Sequence, residues 1–331
     1  MIWLEFIISA GIILIAGSQL TRYADRLSDA LGLGKVWIGV VLLGLVTSLP
    51  EAGASLVSVI GLDAADLAVG NMAGSNNFNL LLVVLLDLVY RRGSLTNSVV
   101  FNRAQAVTAA FALGLAGIAA VEIMAGGLFT IPTLFVFSPG SLLLIVIYLL
   151  GMRRIYQSNL LPAIAPGDRK DPGISLSRTY LGIFISGAVV IAGAVWVARS
   201  ADVIAVSTGW GRTFVGSLFL ALATSLPEMV VTLSALRLKQ VDLAVGNIFG
   251  SNMTNMFLLV FCDWADGPGA LLNGVSSAHV FTIFVGFAMT LVVILGLAQN
   301  KKENYFGLGW DSWSLILIYA AGMTGLYGMG R

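Results

Sequence analysis

The chain holds one cysteine, one histidine and little charge: 11% of its 331 residues are Asp, Glu, Lys or Arg, against 58% hydrophobic. Each scarcity excludes something. Cys262 has no partner for an internal disulfide and reads as a small core residue. His279 reads as an ordinary interfacial histidine. Zinc, copper and iron centres draw on His and Cys, so no resident metal and no cofactor is expected. A net charge of +1 gives nucleic acid nothing to bind, and no protein partner is evident. Soluble domains carry about 25% charged residues. A chain so poor in charge belongs in a lipid bilayer.

What is plentiful is apolar sequence. A helix needs roughly 20 apolar residues to cross about 30 Å of hydrocarbon. Such runs occur at about 2–20, 36–60, 66–89, 99–122, 127–151, 178–199, 212–237, 242–264, 278–298 and 311–329. They predict an all-α polytopic membrane protein of ten transmembrane helices. The first run lacks a basic start and an A-x-A cleavage site, so it reads as a retained helix. Residues 21–35 read as a polar loop. Residues 152–177, rich in charge and proline, read as a cytoplasmic linker between halves at 1–151 and 178–331.

The halves repeat each other. Thr47-Ser48-Leu49-Pro50-Glu51 returns as Thr224-Ser225-Leu226-Pro227-Glu228, and Gly74-Ser75-Asn76 returns as Gly250-Ser251-Asn252. Asp66-Leu67-Ala68-Val69-Gly70-Asn71 also returns, beginning at Asp242. Internal repetition fixes architecture before any other feature. Five helices per half is an odd number, so the two repeats enter the membrane from opposite sides. Inverted repeats of this kind are a transporter architecture, with the binding site near the midplane where the halves meet.

Basic residues orient the chain. With the N-terminus outside, the inner segments collect Arg22, Arg26, Lys35, Arg91, Arg92, Arg153, Arg154, Arg169, Lys170, Arg178, Arg237, Lys239, Lys301 and Lys302. The outer segments keep Arg199, Arg212 and Arg331, while Arg103 lies near the inner end of the fourth helix. Both termini are therefore expected outside a prokaryotic cell membrane.

Glu51 and Glu228 fall near mid-depth of the second and seventh helices, where a charge costs about 2.5–3.5 kcal/mol on insertion scales. No Lys or Arg falls at matching depth, so two carboxylates facing each other need protons or cations. Their surroundings favour cations. Thr47 shares a helix face with Glu51, and Ser48 lies one step around it. Pro50 and Pro227 lack an N–H and release carbonyl oxygens one turn earlier. Ser75 with Asn79, and Ser251 with Asn255, present hydroxyl and amide oxygens at i and i+4. An all-oxygen set of this kind suits Ca²⁺ and Na⁺. Ions that compete for the same oxygens exclude each other, which is a mechanism for exchange. Asp87 and Asp263 fall at helix ends and read as solvated, while Asp66 and Asp242 read as N-caps of their own helices.

With these residues assembled, the chain resembles the cation/calcium exchanger superfamily, and within it the prokaryotic sodium/calcium exchanger branch. The TSLPE and GSN blocks in both halves carry the resemblance, which covers essentially the whole chain. The Gly-Asn-Ala-x-Glu motif usual in the calcium/proton branch is absent. The resemblance implies that Glu51 and Glu228 are carboxylates shared by Ca²⁺ and Na⁺, with Thr47 and Thr224 supplying carbonyls to Ca²⁺. It implies hydroxyls from Ser48, Ser75, Ser225 and Ser251 at flanking Na⁺ sites, with carbonyls from Gly44 and Ala221. Asn79 and Asn255 would complete the centre. Archaeal exchangers of this type often carry Asp where Asn255 stands, so this site is fixed at two carboxylates. The expectation is a Na⁺/Ca²⁺ antiporter working by alternating access. A Ca²⁺/H⁺ or other cation/H⁺ antiporter stands as the alternative, and an enzyme is disfavoured because no Asp pair, Ser/His pair or HExxH of an intramembrane hydrolase is present. A passive channel would show flux without a counter-ion.

Overall fold

The computed structural model describes residues 1–31, 44–90, 103–126, 137–158, 176–237, 241–267, 271–299, 304–305 and 308–329. Among them the long elements are all helical: α1 (Ile2–Leu31), α2 (Gly44–Thr47), α3 (Leu49–Leu62), α4 (Ala65–Tyr90), α5 (Arg103–Ala125), α6 (Pro139–Ser158) and α7 (Leu176–Thr208). There follow α8 (Arg212–Val215), a π turn (Gly216–Leu220), α9 (Ala221–Thr224), α10 (Leu226–Arg237), α11 (Val241–Asp266), α12 (Leu271–Gly274), α13 (Ala278–Gln299) and α14 (Trp310–Met329). A two-residue ladder pairs Asn304–Tyr305 with Leu308–Gly309. Among the described residues six helices are long and apolar enough to cross a membrane, or seven if the bent pair Arg212–Thr224 and Leu226–Arg237 is one span.

Burial sorts these helices by role. The spanning windows of α4 and α11 are 72% and 83% buried, whereas those of α1 and α7 are 28% and 33% buried. Residues such as Ile7, Ile15, Phe184 and Ile185 are exposed on α1 and α7, an apolar surface suited to lipid. The two outer helices pack on each other and also cover α3 and α10. Ser75, Asn79, Ser251 and Asn255 of the repeats therefore lie on the most enclosed helices.

Backbone contacts hold the centre close. A Cβ on Gly74 of α4 would overlap the Ser217 backbone in the π turn, and one on Gly17 of α1 would overlap the Pro227 ring. A Cβ on Gly44 would press on the Gly250 backbone of α11. Glycine permits these approaches because small residues let helix backbones meet.

The boundaries differ from the sequence expectations in instructive places. Helix α1 continues through the expected loop to Leu31, carrying Arg22 and Arg26, with the Arg26 guanidinium 5.5 Å from the centre of the Tyr23 ring. The expected fifth helix begins at Pro139 and runs to Ser158, past the expected start of the linker, and α7 already begins at Leu176. Proline suits the first turn because its missing N–H would have no helical partner there. Helix α7 reaches Thr208, beyond the expected end at residue 199. Residues 36–43, 91–102, 127–136 and 159–175 lie outside the described residues, as do Lys35, Lys239, Lys301, Lys302 and Arg331.

Candidate functional site

The two TSLPE blocks each break their helix. Helix α2 stops at Thr47, Ser48 adopts φ −82° and ψ 7°, and α3 begins at Leu49. Ser225 adopts φ −84° and ψ 8° between α9 and α10, and the two segments there meet at 46°. The sequence pointed to weakened helices; the structure has each interrupted one residue before Leu-Pro. The cause is the same. Pro50 and Pro227 cannot donate to the carbonyl one turn back, yet they fit the first turn of a new helix. The breaks put Glu51 and Glu228 in that first turn, where unpaired N–H groups favour negative charge.

All twelve residues singled out in the sequence come together, and all are buried. The contacts cross between the repeats. Ser225 Oγ donates to Glu51 Oε1 at 2.8 Å, and Ser48 Oγ lies 3.5 Å from Glu228 Oε1. Thr47 Oγ1 and Ser251 Oγ are 3.4 Å apart, and Ser75 Oγ lies 3.5 Å from the Ala221 carbonyl. Asn79 Nδ2 donates to Asn252 Oδ1 at 3.0 Å, and Asn255 Nδ2 donates to Asn76 Oδ1 at 3.2 Å. Each carboxylate is thus met by the serine of the other repeat.

Four buried acceptors in this group find no donor: Glu51 Oε2, Glu228 Oε2, Asn79 Oδ1 and Asn255 Oδ1. Buried acceptors without partners carry a desolvation penalty of about 1–3 kcal/mol each, more for charged groups. A proton or a cation removes that penalty. Among the described residues no three His, Cys, Asp or Glu side chains gather as a metal centre. The group therefore offers two carboxylates supplemented by neutral oxygens.

Further residues of the repeated blocks join the central group. Asn71 donates to the Glu51 carbonyl (3.3 Å) and to Ser55 Oγ (2.9 Å), and accepts from Thr224 Oγ1 (3.0 Å). It ties both copies of the motif together. Asn247, its counterpart, donates to Thr232 Oγ1 at 3.2 Å. Asn76 and Asn252 each donate a side-chain amide to the other's main-chain carbonyl, at 3.3 and 3.1 Å. Their return in both copies was the available signal.

Three acidic readings are corrected. Asp87 and Asp263 are not solvated but buried. Asp87 accepts from Ser312 Oγ (2.6 Å) and Gly309 N (3.4 Å), at the start of α14. Asp263 accepts from Ser141 Oγ (2.7 Å) and Ser138 N (3.4 Å), at the start of α6. Each caps a helix of the opposite half, where unpaired N–H groups welcome a carboxylate. Asp66 does not cap its own helix either. It accepts from Ser276 N at 2.7 Å, just before α13, and lies 2.9 Å from Nε2 of His279, which is fully buried. The side chain of Asp242 lies outside the described residues.

Known proteins share sequence and fold with this chain. The sodium/calcium exchanger MaX1 of Methanosarcina acetivorans is 29% identical over 154 residues, 46% of this chain and 41% of that protein. The solved sodium-calcium exchanger NCX_Mj superposes with a TM-score of 0.64 at 20% identity, covering 98% of this chain and 99% of that one. The crystal structure of the H⁺/Ca²⁺ exchanger CAX superposes with a TM-score of 0.71 at 12% identity, covering 99% and 85%. Both structural likenesses are likenesses of fold. The profile of the family described as sodium/calcium exchanger protein matches residues 1–156 and 179–328, nearly the whole chain, and the chain belongs to that family of membrane ion exchangers.

Proposed function

We propose that this protein is a secondary-active antiporter that exchanges Na⁺ for Ca²⁺ at the central group of Glu51, Glu228, Thr47, Thr224, Ser48, Ser225, Ser75, Ser251, Asn79, Asn255, Gly44 and Ala221. The observation that carries the reading is the set of four buried oxygens without donors, two of them carboxylate. Two carboxylates balance one Ca²⁺, or hold Na⁺ ions on overlapping oxygens, so one cargo displaces the other. Hard cations of this kind take oxygen ligands and need neither nitrogen nor sulfur. Hydroxyls of Ser48, Ser75, Ser225 and Ser251 and the carbonyls of Gly44, Thr47, Ala221 and Thr224 fill out the coordination.

In this reading the chain crosses the membrane ten times as two inverted repeats of five helices, joined by a cytoplasmic linker at 152–177, with both termini outside. The matched blocks, their exchanged contacts and the distribution of basic residues support it. Alternating access then opens the central group to one side at a time.

The deciding experiment is ⁴⁵Ca²⁺ uptake into proteoliposomes loaded with Na⁺ and diluted into Na⁺-free buffer, beside E51Q and E228Q. Uptake that requires internal Na⁺ and disappears in both variants is the expected result. The second reading, a Ca²⁺/H⁺ antiporter, is favoured by the presence of only two carboxylates, which two protons would neutralise. Uptake driven by a pH gradient and indifferent to Na⁺ would replace the first reading with the second.

A further inference from the structure

Away from the central group, a second pair of buried acids meets at the start of α6. Asp263 accepts from Ser138 N and Ser141 Oγ through Oδ2, while its Oδ1 has no donor. Glu122, near the end of α5 and 5% exposed, lies beside the Ser138 hydroxyl and directly over Gly140, where a Cβ would overlap its carboxylate. Its Oε2 also has no donor.

The second half contains the same arrangement with its parts exchanged. Asp87 takes the place of Asp263, at the start of α14. There the acid is Asp311 on α14 and the glycine is Gly296 on α13, where a Cβ would meet the Asp311 carboxylate. Acid and glycine have traded helices, yet two buried carboxylates remain at each place. One difference separates the two pairs. Asp87 and Asp311 each have further partners, whereas Glu122 and Asp263 keep one orphaned oxygen apiece.

Among the described residues neither acid has a basic partner: the ion pairs there are Arg212 with Asp202, and His279 at the start of α13 with Asp66. On α11 the titratable neighbours are Cys262 and Asp266, and Asp266 in turn faces Asp63 beyond the end of α3. On α6 the nearest titratable group is Tyr148, and Arg153 and Arg154 lie about one and a half turns beyond it. Helix α12 and the segments 127–136 and 268–270 contain no titratable side chain. Ser138 and Ser141 donate to Asp263, and the Ser138 hydroxyl and the Gly140 N–H lie against Glu122. Ionised carboxylates only accept, so Glu122 Oε2 and Asp263 Oδ1 would still have no donor. The count of free oxygens then decides the ligand. A hard divalent cation takes about six to eight oxygens, and the inward N–H of Ser138 opposes it. One proton supplies one donor between two acceptors.

We propose that Glu122 and Asp263 are a proton-binding site separate from the central group, with Glu122 carrying the proton and donating it to Asp263 Oδ1. Asp263 stays ionised as the cap of α6. The inference does not depend on which ions the central group exchanges. It does mean that a pH effect on transport has a source other than coupled protons.

The test is the thermal unfolding midpoint of the purified protein in detergent across neutral to alkaline pH. E51Q/E228Q serves as the parent, so that the central carboxylates do not titrate. In this proposal the proton bridges the two acids only when folding brings them together, so its contribution is present at low pH and lost as pH rises. The parent midpoint is expected to fall by several degrees with rising pH. E122Q, whose amide donates permanently, is expected to stay flat. E122G should be low throughout, and E122G/G140D, which copies the arrangement at Gly296 and Asp311, should recover both the midpoint and the slope. If E122Q does not fold, loss of the protonated-carboxyl infrared band in E122G and its return in E122G/G140D read the same proton. Equal pH slopes in the parent and E122Q would overturn the proposal. So would a parent midpoint restored at high pH by Ca²⁺ or Na⁺ but not in E122Q, because the pair would then bind a metal cation.

Discussion

Ser225 donates to the Glu51 carboxylate at 2.8 Å, whereas its counterpart Ser48 reaches Glu228 only at 3.5 Å. The first distance is that of a well-formed O–H···O bond, and the second lies beyond that range. Two carboxylates drawn from identical motifs are thus held unequally.

That inequality should be visible in transport. A hydrogen bond to a charged group contributes about 1.5–3 kcal/mol, and 1.4 kcal/mol is tenfold in affinity. S225A is expected to raise the Ca²⁺ half-saturation concentration of Na⁺-driven uptake about tenfold or more. S48A should raise it less than about threefold. Equal losses would show that the two acids are interchangeable.

Asn71 should matter more than Asn247. Its amide joins the Glu51 carbonyl, Ser55 and Thr224, so alanine there leaves three buried groups in search of partners. N71A is expected to cut the saturating uptake rate about tenfold or more, because neighbours in one hydrogen-bond network act as a unit. Under the same conditions N247A should keep most of the rate.

The close approach at Gly74 predicts a stability defect. A methyl there overlaps the Ser217 backbone, whereas nothing lies within 4 Å of a Cβ on Gly114. Overpacking costs about 1–3 kcal/mol, occasionally more, while alanine in a helix gains up to about 1 kcal/mol over glycine. G74A should lower the unfolding midpoint in detergent and G114A should leave it unchanged or raise it.

Loss of the cap at Asp87 should destabilise the fold from a distance. Capping losses run about 0.5–2 kcal/mol, and this cap is buried. D87A is expected at the upper end, with D87N milder because it keeps one acceptor. Comparing their unfolding midpoints with that of S312A tests whether the Asp87 to Ser312 bond carries the effect.

Much of the central group could be read before any coordinates, because Thr47-Ser48-Leu49-Pro50-Glu51 and its repeat set polar atoms in apolar sequence and fixed their spacing. The proline signal foretold a local fault in the helix but not that Ser48 and Ser225 would interrupt it. Which atoms of Asn71, Asn76 and Asn252 meet is settled by packing between segments far apart in sequence, which periodicity cannot report. Asp87 and Asp263 were misread for the same reason. Position near a helix end suggests water, and only the arrival of α14 and α6 supplies the donors that make burial tolerable. Helix limits drifted most where a boundary depends on such a neighbour, as at Pro139.

The exchanged contacts carry a historical meaning. Asn76 meets Asn252 as Asn252 meets Asn76, and Asp87 and Asp263 each serve the other's half. An interface in which residue i touches j while j touches i is the kind two identical subunits make. One short gene product pairing with itself would have sufficed to build it, and the present chain reads as that dimer fused end to end. Once fused, each half was free to change provided the other kept the partnership intact. Glu122 over Gly140, and Asp311 over Gly296, show how far the halves differ within that partnership: each place keeps two buried carboxylates, on different helices.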